Sequence, residues 1–204
     1  MKKRSIAIVA SVVLALALAV TFFVATLTTS ADVTPVTTVT VGTTALNAGN
    51  ATMDGASFDA TTGTLTLTKN VGDIKADNGK LTIVVDEADV TCGAIIMNDA
   101  QLEITGSKKL TVNGNITIGN TITATDTVAA SDLGFAVTGD VSLKVGNDSS
   151  SVALYLNSGN NQANSVSILF DTTGTVELYR AKNAVLFAQK AKVIDFALKN
   201  GTVI

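Results

Sequence analysis

The sequence predicts an all-β chain of very short strands stacked as a parallel β-helix, and three observations predict it. First, an apolar–polar–apolar triplet occurs eight times: Leu65-Thr66-Leu67, Leu81-Thr82-Ile83, Leu102-Glu103-Ile104, Leu110-Thr111-Val112, Ile116-Thr117-Ile118, Val141-Ser142-Leu143, Val166-Ser167-Ile168 and Val176-Glu177-Leu178. Two apolar side chains around a polar one is a period of two, the mark of a strand with one buried face. Second, the starting positions of successive copies step by 16, 21, 8, 6, 25, 25 and 10. The 21 and the two 25s suit one full turn of a three-sided stack, and the short steps suit neighbouring sides of one turn. Third, the joints carry turn chemistry. Asp77-Asn78-Gly79, Asn113-Gly114-Asn115, Gly119-Asn120, Gly139-Asp140, Gly146-Asn147-Asp148 and Asn200-Gly201 supply positive φ and side-chain-to-backbone bonds.

Taken in order, residues 32–60 form a lead-in rich in Thr, Ala and Gly, with the single proline at Pro35. Within it, residues 36–41 read as a first strand or a tether, and 47–59 read as loop. The β-helix domain is expected over 61–204. Its strands are expected at 63–69, 79–85, 94–97, 101–105, 109–112, 115–118 and 140–145. Further strands are expected at 152–156, 165–170, 175–179, 185–188 and 193–198. Residues 181–191 allow a helix, because Ala and Lys favour one. The alternation of Ile194, Phe196 and Leu198 with Asp195, Ala197 and Lys199 then reads as strand up to the C-terminus. No polar cap follows it, so the last rung is expected to present an open edge.

Residues 1–31 read as a signal peptide or an N-terminal membrane anchor. Lys2, Lys3 and Arg4 precede an uncharged, mostly apolar run at 6–27, and Thr29-Ser30-Ala31 offers small residues for cleavage. The apolar run is long enough to span a bilayer, so both fates stay open. In either case the remainder is exported, which sets the expected location as extracellular or cell surface. Of the 14 Lys and Arg, three lie in this leader, which leaves 11 against 17 Asp and Glu, a net of −6. A chain of that charge has no basic stripe for phosphates and is a poor partner for nucleic acid or anionic lipid.

Cys92 is the single cysteine, so no intramolecular disulfide forms, and its setting in Val90-Thr91-Cys92-Gly93 suits a small buried rung residue. There is no histidine, which removes the commonest general base and metal ligand. Walker loops and zinc-ligand spacings are absent too. The sequence therefore argues against an enzyme.

The blocks Ala60-Thr-Thr-Gly-Thr-Leu-Thr-Leu67, Ile74-Lys-Ala-Asp-Asn-Gly-Lys-Leu-Thr-Ile83 and Leu102-Glu-Ile-Thr-Gly-Ser-Lys-Lys-Leu-Thr-Val112 carry a resemblance. They resemble the right-handed parallel β-helix modules of secreted bacterial proteins of the carbohydrate-binding type. The likeness covers residues 60–118 and thins beyond Thr121. It implies a single-stranded right-handed parallel β-helix, or β-solenoid, facing extracellular polysaccharide and sometimes loaded with calcium. It brings no catalytic residues.

Two sets of residues are candidates for binding. Asp86, Glu87 and Asp89 place three carboxylates in four positions, hard oxygen ligands that suit calcium, the candidate cofactor. The same run also reads as a solvated acidic turn, and Asp73, Asp77 and Asp99 would join it if rungs stack them. Tyr155 and Tyr179 are candidate surface aromatics for a sugar. Phe58, Phe135, Phe170, Phe187 and Phe196 are expected in the core. The expected role is non-catalytic binding of extracellular or cell-wall polysaccharide. The alternative is a structural subunit of a surface layer or fibre that self-associates through open β-edges.

Overall fold

Short strands in register need neighbours at nearly constant sequence distance, and the pairing of this chain supplies them. The computed structural model describes residues 33–119, 132–146, 152–157, 165–179, 186–189 and 193–203, the last strands partly by backbone alone. The expected leader at 1–31, Arg180 and the Asn147-Asp148 corner lie outside the described residues.

The strands are β1 Thr38–Val41, β2 Thr44–Asn47, β3 Thr52–Met53, β4 Ala56–Asp59, β5 Thr64–Leu67, β6 Ile74–Val85, β7 Val90–Cys92 and β8 Ile95–Gly106. They continue as β9 Lys109–Val112, β10 Ile116–Gly119, β11 Leu133–Gly139, β12 Ser142–Val145, β13 Leu154–Asn157, β14 Ser165–Leu178, β15 Leu186–Gln189 and β16 Val193–Val203. No helix occurs among the described residues. All sixteen strands belong to one sheet, open and curled.

Three parallel ladders organise it. The first runs through Ile74, Ile95, Ile116, Leu154 and Leu186, which are successive Cα partners in β6, β8, β10, β13 and β15. The second runs through Leu65, Ile83, Ile104, Val137, Phe170 and Leu198, in β5, β6, β8, β11, β14 and β16. The third runs through Val90, Leu110, Leu143, Val176 and Val203, in β7, β9, β12, β14 and β16. From β6 onward the chain visits them in constant order: first, second, third, first again.

The register explains the spacing and corrects part of it. Ile74, Ile95 and Ile116 pair in turn at a sequence separation of 21, and Leu110, Leu143 and Val176 at a separation of 33. The signature step of 21 therefore joins true neighbours, Leu81 and Leu102. The two longest steps do not. Val141 pairs with neither Ile116 nor Val166, because each of those strands lies in a different ladder.

Among the described residues antiparallel pairing is confined to the N-terminal part, where β1 pairs β2 and β6, and β4 pairs β3 and β5. Residues 36–41 thus contain a strand at Thr38–Val41, one of the two readings left open. The loop expected over 47–59 instead carries β3 and β4. Ala56 and Phe58 are buried and alternate with exposed Ser57 and Asp59, a period hidden by the surrounding Gly and Asn. One further strand, Leu133–Gly139, carries no triplet because Gly134 and Ala136 fill its intervening positions.

The interior is one cluster of aliphatic side chains from Val36 to Leu178, most of them fully buried. Phe58, Phe135 and Phe170 are in it as expected, and so is Cys92. Phe196 is not: it is 52% exposed. The one buried polar side chain among the described residues, Thr172, is fully engaged. It donates to the Val141 carbonyl at 2.7 Å and accepts from the Gly174 N–H at 3.1 Å, as a buried hydroxyl must.

Polar side chains stitch one passage to the next. Asn70, Asp73, Asp89 and Asp132 accept backbone N–H groups of Thr91, Ala94, Lys109 and Ser165, at 2.8–3.1 Å. At one corner Asn78 and Asp99, one passage apart, both adopt left-handed φ, 54° and 49°. Short polar side chains tolerate that conformation best after glycine.

Candidate functional site

The outer face of the first ladder aligns residues of binding chemistry into two parallel files. In β6, β8, β10 and β13 the inward positions of this ladder are apolar, so the alternate positions face out. One file holds Lys75, Ile96, Thr117 and Tyr155, with Phe187 next in register. The neighbouring file holds Asp77, Asn98, Gly119 and Asn157, with Gln189 next. Neighbouring strands stand about 4.8 Å apart, so each file repeats at that interval. Asn98 donates its side-chain amide to Asp77 at 2.7 Å, which fixes both side chains along the file.

Tyr155 is half-buried and lies between Thr117 and Phe187 in register, with Asn157 two positions on in the same strand. An aromatic body next to amide and hydroxyl groups offers a stacking face and hydrogen bonds together. Tyr155 is legible in the sequence as the polar centre of Leu154-Tyr155-Leu156. Asn157 follows from strand alternation, but Thr117 and Asn98 are not legible as part of the same surface. The triplet Ile116-Thr117-Ile118 is recognisable, but its register against Tyr155 crosses a whole passage of chain and has no local signal. Phe187 is expected in the core; its backbone pairs with that of Tyr155, and its side chain lies outside the described residues.

The other candidates lie elsewhere. Tyr179 follows β14 in the third ladder, 48% exposed, its N–H donating to the Val145 carbonyl at 2.8 Å. Asp86, Glu87 and Asp89 form the exposed segment between β6 and β7. Asp89 gives Oδ1 to the Lys109 N–H, and the Asp86 carbonyl faces the Ser107 hydroxyl at 3.5 Å. Asp73 and Asp77 are likewise engaged with Ala94 and Asn98. Among the described residues no three or more His, Cys, Asp or Glu side chains gather as a metal shell.

A second polar centre lies on the second ladder. Glu103 receives Lys80 Nζ on Oε2 at 2.6 Å and the Thr138 hydroxyl on Oε1 at 2.8 Å. Burial raises its pKa, but the Lys80 and Thr138 hydrogen bonds and the Lys80 charge outweigh this, so the carboxyl sits below its ordinary 4.5. A depressed carboxylate stabilises the fold above its unfolded pKa, and that stability is lost as pH falls through the folded value. Glu103→Gln should therefore lower stability by about 1 kcal/mol at pH 7, where the pair is part-exposed. The gap to the parent should narrow at an acid pH well below the ordinary carboxylate range. Urea titrations at both values check this; an equal gap at both would show that the ion pair is not the cause.

Burial first, and the Asp73 charge second, push the Cys92 thiol up to about 12, so it stays protonated and unreactive at neutral pH. A shallow open depression of about 380 Å³ lies on β3–β5, lined by Thr52, Ser57, Asp59, Thr62, Thr64 and Thr66 among others. The Thr61 N–H and the Thr62 hydroxyl hold the Asp59 carboxyl below its usual range.

Compared with protein-family models, curated proteins and solved structures, the chain matches none.

Proposed function

We propose that this is an exported, non-catalytic protein that holds an extracellular or cell-wall polysaccharide along the outer face of its first ladder. The three ladders are read as the three sides of a single-stranded right-handed parallel β-helix. Their constant order of visits supports that reading. The observation that carries the function is the paired file of Ile96, Thr117 and Tyr155 beside Asp77, Asn98 and Asn157. A polymer of polar units lying across the strands would meet Asp77, Asn98, Thr117 and Asn157 as donors and acceptors and Tyr155 as the ring, with Ile96 and Gly119 as the gaps between them. Mature acidity and the resemblance over residues 60–118 point the same way. Calcium would assist only if Asp86, Glu87 and Asp89 were completed by oxygens of the glycan or solvent.

The test is retention of the protein on insoluble cellulose, pectin and peptidoglycan, each with calcium and with EDTA. Saturable retention on one polymer is expected, weakened about tenfold by Tyr155→Ala. Tyr179→Ala, on another ladder, should leave it unchanged. Retention that needs calcium would support Asp86, Glu87 and Asp89 as part of its ligand set. No retention on any polymer would sink the glycan reading.

A second reading rests on a different observation. Phe196, Leu198 and Val203 of β16 are exposed, and among the described residues β16 pairs only with β14. Such an edge suits a structural subunit of a surface layer or fibre, assembled by strand pairing.

A further inference from the structure

We propose that β16 joins two copies of this chain, antiparallel, across a two-fold axis at Ala197. The proposal rests on the edge-assembly reading and names the partner.

The need for a partner follows from the core. Phe196 and Leu198 are the Cα partners of Ile168 and Phe170, both buried in β14. They carry the apolar file of the second ladder one strand further, where each is 52% exposed. The Phe196 ring stands 5.7 Å from that of Phe170, which in turn stands 5.9 Å from Phe135. A core file thus runs out into solvent, and contiguous apolar surface of that kind marks an interaction site.

The identity of the partner follows from the order of residues around Ala197. Outward from it stand Phe196 and Leu198, then Asp195 and Lys199. Two β16 strands paired antiparallel with Ala197 against Ala197 set Phe196 opposite Leu198 of the second copy, twice. They set Asp195 opposite Lys199 of the second copy, also twice. Residues directly opposite share a face, so the apolar pairs meet on the core side, and positions 195 and 199 alternate with them on the strand. Parallel pairing in the same register would set Asp195 beside Asp195 and Lys199 beside Lys199, which is repulsive. The charge order therefore selects the two-fold arrangement, and a two-fold contact closes at two copies.

Lys199 now lies 3.8 Å from Asp171 of its own chain. It is the extra residue where the register between β14 and β16 shifts, since Phe170 pairs Leu198 and Asp171 pairs Asn200. The regular part of the edge ends at this irregularity, which limits the new pairing to residues 195–199.

The test is sedimentation velocity on the full chain as recovered after export, across a hundredfold concentration range. It compares the parent with Asp195→Lys, Lys199→Glu and the double swap, with thermal melts to confirm folding. A reversible dimer is expected. Each single reversal places like charges opposite each other twice and should weaken it about tenfold. The double swap restores both opposite-charge pairs and should return the dissociation constant to within about threefold of the parent. Failure of the swap to restore a dimer weakened by both single changes would overturn the pairing. Growth beyond two copies would also overturn it while keeping edge assembly alive. A parent that stays monomeric throughout would sink both.

Discussion

Gly106→Ala should unfold this protein far more readily than any surface substitution. Gly106 ends β8 at φ +133°, a conformation that L side chains rarely adopt. An added Cβ would collide with the Val85 carbonyl oxygen, and would lie 2.7 Å from the Val85 carbon and 2.9 Å from its nitrogen. Those are backbone atoms and cannot rotate away. The same oxygen accepts the N–H groups of Ser107 and Lys108 at 3.1 and 3.0 Å, so pushing it strains the whole corner. The next passage leans on that corner too, because the Asp140 N–H donates to the Gly106 carbonyl at 2.9 Å. Strain of about 1–3 kcal/mol from φ, with overpacking of similar size added, gives a loss of roughly 3–4 kcal/mol. For a domain of this size the melting temperature should fall by about 10 °C. Gly42→Ala is the comparison. Gly42 has φ +61° but nothing within 4 Å of an added Cβ, so it should cost about 1 kcal/mol. Differential scanning calorimetry of both variants decides: equal, small losses would mean that the corner yields and the stack is softer than its register implies.

The contrast between those two glycines is invisible in the sequence, and the same limit shapes what else can be read there. Strand positions are legible because burial on one face forces a period of two, and the triplets report that period directly. Leu133–Gly139 is not, because Gly and Ala at its outward positions erase the polar mark. The ladder to which each triplet belongs is also hidden. Ile116-Thr117-Ile118 and Val141-Ser142-Leu143 look alike but lie in the first and third ladders, so the step between them only imitates one full passage. The real separation of partners lengthens from 21 to 33, and nothing in a triplet records such an insertion. The candidate site shows the same division. Tyr155 stands out locally; Thr117 and Asn98 become part of its surface only through parallel register. The acidic residues are legible as carboxylates, yet the role of Asp89 depends on the Lys109 N–H at the start of β9, the next strand of the third ladder.

Phe170→Ala should be the most damaging truncation in the core, with a loss of about 3–5 kcal/mol. Phe170 is 1% exposed, and it lies between the rings of Phe135 and Phe196, at 5.9 and 5.7 Å with interplanar angles of 74° and 60°. Edge-to-face and tilted contacts of this kind add to the transfer energy of the ring. Its strand neighbours are Val137 and Leu198, held by parallel backbone pairs on both sides, so the walls cannot close on the space the ring leaves. Phe196→Ala removes the same side chain from a position already 52% exposed, so it should cost about 1 kcal/mol in the monomer. Urea unfolding of the two variants side by side, at a concentration below any dimerisation, measures the difference. A ratio of losses near one would mean that the outer ring is as well covered as the inner one. That result would remove the exposed apolar end on which pairing through β16 depends. A large ratio would leave Phe196 free of structural duty within one copy, as a side chain reserved for contact with another should be.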